Sequence, residues 1–205
     1  MRCNQDFSRS SVTSSVQTCE SPKPHTIDAF AAMCVHLMSV FSGDETWIGR
    51  TFDLVGACRQ RAVKPSSKKY AYIIVQQPVS LELVGFRVRA LPFGSVRSVH
   101  AFLRISHSLW YVLAREFRVL LTNYFDDFVA AAPTSKCSSI TSCVHMYFKL
   151  LGWAFSESGD KAPPFGAMFQ ALGGQYRCVD TAQWKLGNTE SRRKELIDIL
   201  DLVIA

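Results

Sequence analysis

The amino-acid sequence predicts an α+β fold, an antiparallel sheet with helices gathered on one face. Two patterns lead to this expectation. Short runs rich in β-branched and aromatic residues are separated by turn-forming residues, which is typical of strands joined in hairpins. Longer segments carry apolar residues three and four positions apart, which is typical of amphipathic helices. The predicted order is helix, strand, hairpin, helix, hairpin, helix, strands and helix. This mixture favours a sheet layer packed against a helix layer.

Composition limits the size, class and compartment of the protein. The chain has 205 residues, of which 48% are hydrophobic and 20% charged, enough for one globular domain or one domain with an appendage. The net charge of +6 permits a nucleic-acid partner without requiring one. The seven cysteines are scattered and include no C-x-x-C pair, which favours reduced thiols inside the cell, in cytoplasm or nucleus. No apolar run reaches the roughly 18 residues of a membrane span, so no membrane partner is expected.

The first quarter of the chain predicts a leader, a helix and a strand. Residues 1–25 are rich in Ser and are expected to be disordered. A helix is expected to begin near Asp28 and to end at Ser42–Asp44. Thr51–Val55 then forms a short strand with the lone acid Asp53 among apolar neighbours. The apolar positions of the helix are Phe30, Met33, Cys34, Leu37 and Phe41.

The middle of the chain predicts a hairpin and a long helix. A helical turn at Cys58–Gln60 and a basic loop at Lys64–Lys69 precede two β-rich runs, Tyr70–Val75 and Val84–Ala90. Leu91–Gly94 is a turn. An amphipathic helix follows and ends near Arg115, with its apolar stripe at Val99, Phe102, Ile105, Leu109, Val112 and Leu113.

Two adjacent carboxylates, Asp126 and Asp127, lie at the centre of the sequence pattern. Apolar residues on both sides predict a β-hairpin with these acids at its turn. A solvated turn would explain one Asp, since its side chain can hydrogen-bond its own backbone. A doubled carboxylate between two buried strands is electrostatically costly unless a cation lies beside it. The alternatives are therefore an ordinary turn and a divalent-metal site.

The last third of the chain predicts two helices separated by strands. The first helix runs from Cys137 and ends at Gly152. Trp153–Phe155 and Ala167–Cys178 are strand-like, around a loop that contains Lys161. The last helix opens near Asn188–Glu190 and is expected to bury Leu196, Ile199, Leu200 and Val203.

Asp53 and the pair Asp126–Asp127 are expected to meet at one end of the same sheet. Carboxylates brought that close repel one another unless divalent cations neutralise them. Two ions about 3.5–4 Å apart would suit in-line displacement at phosphorus. Hard oxygen ligands favour Mg²⁺ or Mn²⁺ over zinc. The chemistry served by such a site is phosphoryl or nucleotidyl transfer.

Five segments, in order, resemble the motifs of reverse transcriptases from retrotransposons. Together they span residues 48–178, and the ordered set is specific although each motif alone is not. They are Phe52–Gln60 for the first palm motif, Leu91–Gly94 with Ser98 and Phe102 for the second, Tyr124–Asp127 for the Tyr-x-Asp-Asp signature, Leu150–Trp153 with Lys161 for the fourth, and Phe169–Gly173 for the primer-grip hairpin.

The resemblance implies the palm of an RNA-directed DNA polymerase that uses Mg²⁺ (or Mn²⁺), a template-primer and deoxynucleoside triphosphates. It implies that Asp53, Asp126 and Asp127 are the catalytic metal ligands and that Lys161 gives a proton to pyrophosphate. The implied nucleotide-binding residues are Leu54, Val55, Cys58, Phe93 and Gly94, and the implied primer-binding residues are Leu172 and Gly173. Gly94 as a plain turn former, Phe93 as core and Lys161 as a solvated loop charge remain alternatives.

The resemblance also implies a division of the chain. Residues 26–185 would be the palm-like domain with incomplete fingers and thumb, and residues 186–205 the start of a thumb or connection. The missing segments would belong to a larger polyprotein. Cys58 stands where the family usually has Tyr or Phe, the bulky residue that excludes a ribose 2′-OH. Two other functions stay open: a catalytically inactive retroelement relic that at most binds nucleic acid, and a stand-alone metal-dependent phosphotransferase.

Overall fold

The computed structural model describes residues 23–40, 45–92, 94–180 and 183–204. The described residues divide into two compact units, one within residues 56–105 and the other within residues 23–55 and 106–204. Most of the predicted leader and the predicted helix end at Ser42–Asp44 lie outside the described residues. No helix in the described part of the chain is both long and apolar enough to cross a membrane.

The described elements are four α-helices, eight strands and short 3₁₀ segments. The helices are α1 Ile27–Val40, α2 Val96–Arg115, α3 Cys137–Leu150 and α4 Glu190–Ile204. The strands are β1 Trp47–Asp53, β2 Tyr72–Gln76, β3 Leu83–Arg87, β4 Leu121–Tyr124, β5 Asp127–Pro133, β6 Met168–Ala171, β7 Gly174–Asp180 and β8 Gln183–Asn188. This confirms the α+β prediction, and all strand pairs are antiparallel.

The smaller unit contains the predicted hairpin. Strands β2 and β3 pair in antiparallel register, with Tyr72 opposite Arg87. The basic loop before them forms a 3₁₀ helix at Pro65–Tyr70, where Pro65 supplies the fixed φ that suits a first helical position. Most side chains of both strands are exposed.

The larger unit is built on a three-stranded sheet in the order β1-β5-β4. The central strand β5 is fully buried along Phe128–Ala132. Its run of alanines, Ala130–Ala132, allows close packing because each side chain is a single methyl group. Phe128 contacts Phe148 of α3 with ring centroids 5.4 Å apart, so α3 covers this sheet.

A second sheet, β6-β7-β8, packs on the first through aromatic side chains. Gly49 of β1 forms an antiparallel bridge with Gly166. A Cβ at Gly49 would lie 2.1 Å from the ring of Phe169, so glycine is what lets β6 approach β1. Phe30 of α1 makes edge contacts with Phe169 and Tyr176, which closes this core from one side.

Three sequence expectations about elements are corrected by the structure. Strand β1 begins at Trp47 and not at Thr51, because Trp47–Arg50 pair with the buried end of β5. Strand β8 was not predicted, and Trp153–Phe155 provides only an isolated bridge at Phe155. The expected burial of Leu196 and Ile199 is wrong: they are 38% and 56% exposed, like the other side chains from Glu190 to Ile199. The structure does not describe the side chains of Leu200 and Val203.

Candidate functional site

The two acidic segments meet at one end of the first sheet. Asp53 closes β1 and is the register partner of Asp127, which opens β5. Strands β4 and β5 are joined by a two-residue turn, Phe125–Asp126, so that Tyr124 lies opposite Asp127. The backbone N–H of Leu54 donates to the carbonyl of Asp126 at 3.1 Å. The hairpin and the β1 end are therefore tied together where the three carboxylates lie.

Asp53 is held by two residues from the loop after α3. The ammonium of Lys161 lies 2.9 Å from Oδ1 and 3.1 Å from Oδ2 of Asp53. Ser156 donates its hydroxyl to Oδ2 at 3.1 Å and its backbone N–H to the Asp53 carbonyl at 2.9 Å. The Asp53 side chain is 11% exposed, whereas that of Lys161 is 56% exposed. Lys161 thus neutralises a nearly buried carboxylate while its stem stays in solvent. Lys161 is among the residues predicted from the sequence. Ser156 is not, because it belongs to no recognisable sequence motif.

Burial and the neighbouring carboxylates change the pKa of Asp127. Burial first, then the charges of Asp126 and Asp53, raise the pKa of the Asp127 carboxyl to about 6, and Lys161 opposes this rise. Such a shift means that the negative form of Asp127 is penalised where it stands. A further cation beside Asp127 would remove that penalty.

The donors present suit a hard cation, but the described arrangement is not a closed metal cage. Carboxylate oxygens are the ligands that Mg²⁺ and Mn²⁺ prefer. Within the described ranges, no three His, Cys, Asp or Glu side chains gather as a metal-binding group. Both oxygens of Asp53 are engaged with Lys161 instead. The residues fit the ion by chemistry and by the raised pKa of Asp127, provided that the Lys161 ammonium leaves Asp53.

An open cavity of about 500 Å³ joins the acids to a second predicted feature. The residues that line it include Asp53, Asp127 and Lys161 together with the β6–β7 turn, Leu172–Gly173. Both turn residues have positive φ, 55° and 76°. The conformation is natural for Gly173 but disfavoured for Leu172. Asp53, Asp127 and Lys161 therefore line the same groove as the predicted primer-binding residues, whereas Asp126 is not among the residues that line it.

The predicted nucleotide-binding residues are divided between the two units. The N–H of Leu54 donates to Asp126, and the N–H of Val55 donates to the carbonyl of Ala154 at 3.0 Å. Binding of a triphosphate by these groups would require both bonds to open. Cys58 and Gly94 belong to the smaller unit, and Phe93 lies outside the described residues. Gly94 has φ of 94°, which explains a glycine there on backbone grounds alone.

Comparison with known proteins finds similarity at the level of the fold. No protein-family model matches the chain, and no curated protein matches it. Two similar solved structures are the foamy viral protease-reverse transcriptase in complex with dsDNA, with a TM-score of 0.65, and its dRH form in complex with ds DNA, with a TM-score of 0.63. Each is 15% identical to this chain and matches 90% of it. The chain spans only 33% and 28% of those two chains. The fold is reverse-transcriptase-like.

Proposed function

We propose that this chain carries the nucleotidyl-transfer centre of a retroelement RNA-directed DNA polymerase, as a palm fragment. One observation carries the proposal: Asp53 lies opposite Asp127, next to the turn that contains Asp126, and Asp53 and Asp127 line a groove that also includes Leu172 and Gly173. Clustered carboxylates destabilise a protein unless they serve a cation, and two-metal centres use such clusters. The reverse-transcriptase-like fold supports the same reading.

The three acids would hold Mg²⁺ or Mn²⁺, Asp53 and Asp126 as the main ligands and Asp127 as the additional one. When bound, the metal would lower the pKa of an attacking hydroxyl and neutralise charge on the leaving pyrophosphate. The raised pKa of Asp127 fits this role, because a carboxylate that is costly when bare gains most from a cation.

Lys161 would act at two positions in turn. In the described state its ammonium neutralises Asp53 at 2.9 Å. Its half-exposed side chain can move away, and an ammonium that leaves Asp53 could reach the triphosphate and donate a proton to pyrophosphate. The Leu172–Gly173 turn would position the primer end against the acids across the groove. The roles implied for Leu54, Val55, Cys58, Phe93 and Gly94 remain predictions from the sequence.

The partner that fits this groove is a nucleic-acid template-primer. The two similar solved structures are complexes with double-stranded DNA. The net charge of +6 would favour a polyanion. The larger polyprotein with fingers and thumb segments belongs to the same proposal.

A second candidate is a catalytically inactive relic that binds nucleic acid through the same fold. The observation in its favour is the salt bridge between Lys161 and Asp53, which engages both oxygens of a predicted metal ligand. In a relic this bridge would be permanent, and metal would not displace it.

Single-nucleotide incorporation distinguishes the two candidates. The chain, with fingers and thumb segments supplied by fusion, is incubated with an RNA template, a labelled DNA primer, dNTPs and Mn²⁺ or Mg²⁺, alongside the same fusion carrying Asp126→Asn or the exposed control Asp198→Asn. The polymerase proposal expects primer extension that Asp126→Asn removes and Asp198→Asn retains. Binding of the template-primer without extension, unchanged in all three proteins, would support the relic.

A further inference from the structure

We propose that Ser106 and Asn123 are positioning residues. They hold the Phe125–Asp126 turn in the conformation that places the Asp126 and Asp127 carboxylates for their proposed role. The inference deepens the proposed function and takes its catalytic meaning from it. The structural part, that a buried hydroxyl fixes the acidic turn, stands on hydrogen bonds that can be measured without metal.

The acidic turn has a backbone conformation that its sequence disfavours. Phe125 has φ of 54°, in the left-handed region where a bulky side chain is rare. Glycine is the usual residue where a two-residue hairpin turn requires positive φ. Such a conformation persists only when the surrounding contacts determine it. The turn therefore needs an anchor.

The anchor is a short hydrogen-bond chain from helix α2. The Ser106 hydroxyl donates to the carbonyl of Phe125. The side-chain amide of Asn123 donates to the Ser106 hydroxyl at 2.9 Å. Because Asn123 supplies the proton of that second bond, the hydroxyl proton of Ser106 is directed to the turn. Ser106 and Asn123 are both fully buried.

Asn123 is itself fixed from the other edge of β4. Its backbone N–H donates to the ring Nδ1 of His25 at 3.1 Å. Its backbone carbonyl accepts a hydrogen bond from the backbone N–H of His25, also at 3.1 Å. The ring of His25 packs edge-on to Trp110 of α2, with centroids 4.5 Å apart. The β4 strand that carries the acidic turn is therefore held on both sides before the turn begins.

A purely structural role would not favour polar residues at these positions. Ser106 lies on the buried face of α2 among Phe102, Leu103 and Leu109, where alanine would fit and form helix better. Burying a hydroxyl and an amide is unfavourable unless they are hydrogen-bonded. The Ser106 hydroxyl and the Asn123 amide nitrogen are hydrogen-bonded, whereas Oδ1 of Asn123 is buried with no hydrogen-bond partner among the described residues. The described bonds of the Ser106 hydroxyl lead to Asn123 and to the turn. The pair thus serves the geometry of the turn.

The bond from the Leu54 N–H to the Asp126 carbonyl reports directly on that geometry. The neighbouring Val55 N–H donates to the carbonyl of Ala154, in a different segment from the turn. Amide hydrogen exchange of these two positions, measured by NMR without metal, separates a local effect from general destabilisation. A global loss of stability accelerates both amides, whereas release of the turn accelerates only Leu54.

The test uses Ser106→Ala, with Ser139→Ala on an exposed position of α3 as the matched control. We expect Leu54 exchange to accelerate about tenfold in Ser106→Ala, corresponding to loss of one hydrogen bond, with Val55 unchanged. In a Phe125→Gly background the same substitution should change Leu54 exchange by less than about twofold, because glycine accepts positive φ. Ser106→Cys, with a weak donor of similar size, should be intermediate and provides the test if alanine does not fold.

Equal acceleration of Leu54 and Val55, or an equal effect of Ser106→Ala in the Phe125→Gly background, would overturn the positioning role. Mn²⁺ affinity, measured from the EPR signal of free Mn²⁺, keeps the two proposals distinguishable. Weaker binding in Ser106→Ala than in wild type supports the catalytic meaning. Absence of Mn²⁺ binding in wild type contradicts the proposed function and the catalytic meaning, while the exchange data still decide whether Ser106 holds the turn.

Discussion

The ammonium of Lys161 lies within 3.1 Å of both carboxylate oxygens of Asp53, a residue 108 positions earlier in the chain. This salt bridge places a protein cation at the predicted metal ligand. It neutralises Asp53, while burial and the charges of Asp126 and Asp53 keep the pKa of Asp127 raised. Lys161 therefore neutralises Asp53 in this structure, and under the proposed function it is the residue that a metal would displace.

Lys161→Gln tests that double role. Without the competing ammonium, Mn²⁺ affinity should rise several-fold, whereas nucleotide incorporation should fall at least about tenfold through loss of the proton donor. The matched control is Lys149→Gln, which breaks an exposed pair with Glu157 at 2.8 Å and should change neither quantity. Affinity and incorporation are measured on the same preparations. A fall of Mn²⁺ affinity in Lys161→Gln would show that the lysine does not compete with metal.

Asp127→Asn tests the strain of the acid cluster through pH. The folded-state pKa of Asp127 is about 6, above its ordinary value of 3.8. The unfolded chain therefore loses this proton first, so stability declines as pH rises from about 4 to about 6 and the penalty is complete above that window. In EDTA, the asparagine variant should be more stable than wild type at pH 7 by about 1–2 kcal/mol and no more stable at pH 4.

Denaturant unfolding at the two pH values measures this difference. A stability gain of equal size at pH 4 and pH 7 would mean that the negative charge of Asp127 does not destabilise the folded protein.

Gly49→Ala tests the packing of the β6–β7 hairpin against the β1-β5-β4 sheet. The new methyl group would lie 2.1–2.8 Å from the Phe169 ring, and buried overpacking costs about 1–3 kcal/mol. Gly187→Ala on β8 is the control, because a Cβ there meets nothing within 4 Å. Denaturant midpoints should fall for Gly49→Ala and stay near wild type for Gly187→Ala. Equal midpoints would show that β6 does not pack on β1 at Gly49.

Cys58→Tyr tests the sugar-discrimination hypothesis from the sequence. If Cys58 faces the sugar, its small side chain leaves room for a 2′-OH, and a bulky residue should restore rejection of ribonucleotides. Incorporation of rNTP and dNTP is compared in wild type and Cys58→Tyr, with fingers and thumb segments supplied in trans or by fusion. Strong dNTP preference in wild type would refute the hypothesis, and incorporation of neither would favour the relic.

The acid hairpin and the long helix were predictable because their signals are local. Apolar strands flank Asp126–Asp127, and the α2 stripe ends at Arg115 as predicted. Strand β8 was not predictable in this way. Its residues are largely exposed, and it is defined by pairing with β7, with Trp184 opposite Cys178. The burial expected for Leu196 and Ile199 failed because periodicity shows that a helix has an apolar stripe but not what covers it.

The candidate site was predicted in part for the same reason. The sequence indicated which acids would gather, and the β1–β5 register places Asp53 opposite Asp127. The residues that contact the site come from distant segments of the chain. Ser156 and Lys161 bind the Asp53 carboxylate, and Ser106 donates to the Phe125 carbonyl of the turn. The sequence offered one signal for Ser106. It is a polar residue on the apolar side of α2, at helical spacing from Phe102, Leu103 and Leu109. Its bond to a turn 19 residues later required the fold.

The central claim, that Asp53, Asp126 and Asp127 form a divalent-metal site, is tested most directly by Mn²⁺-dependent thermal melting. A ligand that binds only the native state stabilises it by about 2.7 kcal/mol at 100 times its Kd. Wild type and the exposed-acid control Asp198→Asn should therefore melt at progressively higher temperature as Mn²⁺ rises, and Asp126→Asn should lose most of that shift. Equal shifts in wild type and Asp126→Asn, or no shift in wild type, would contradict the account.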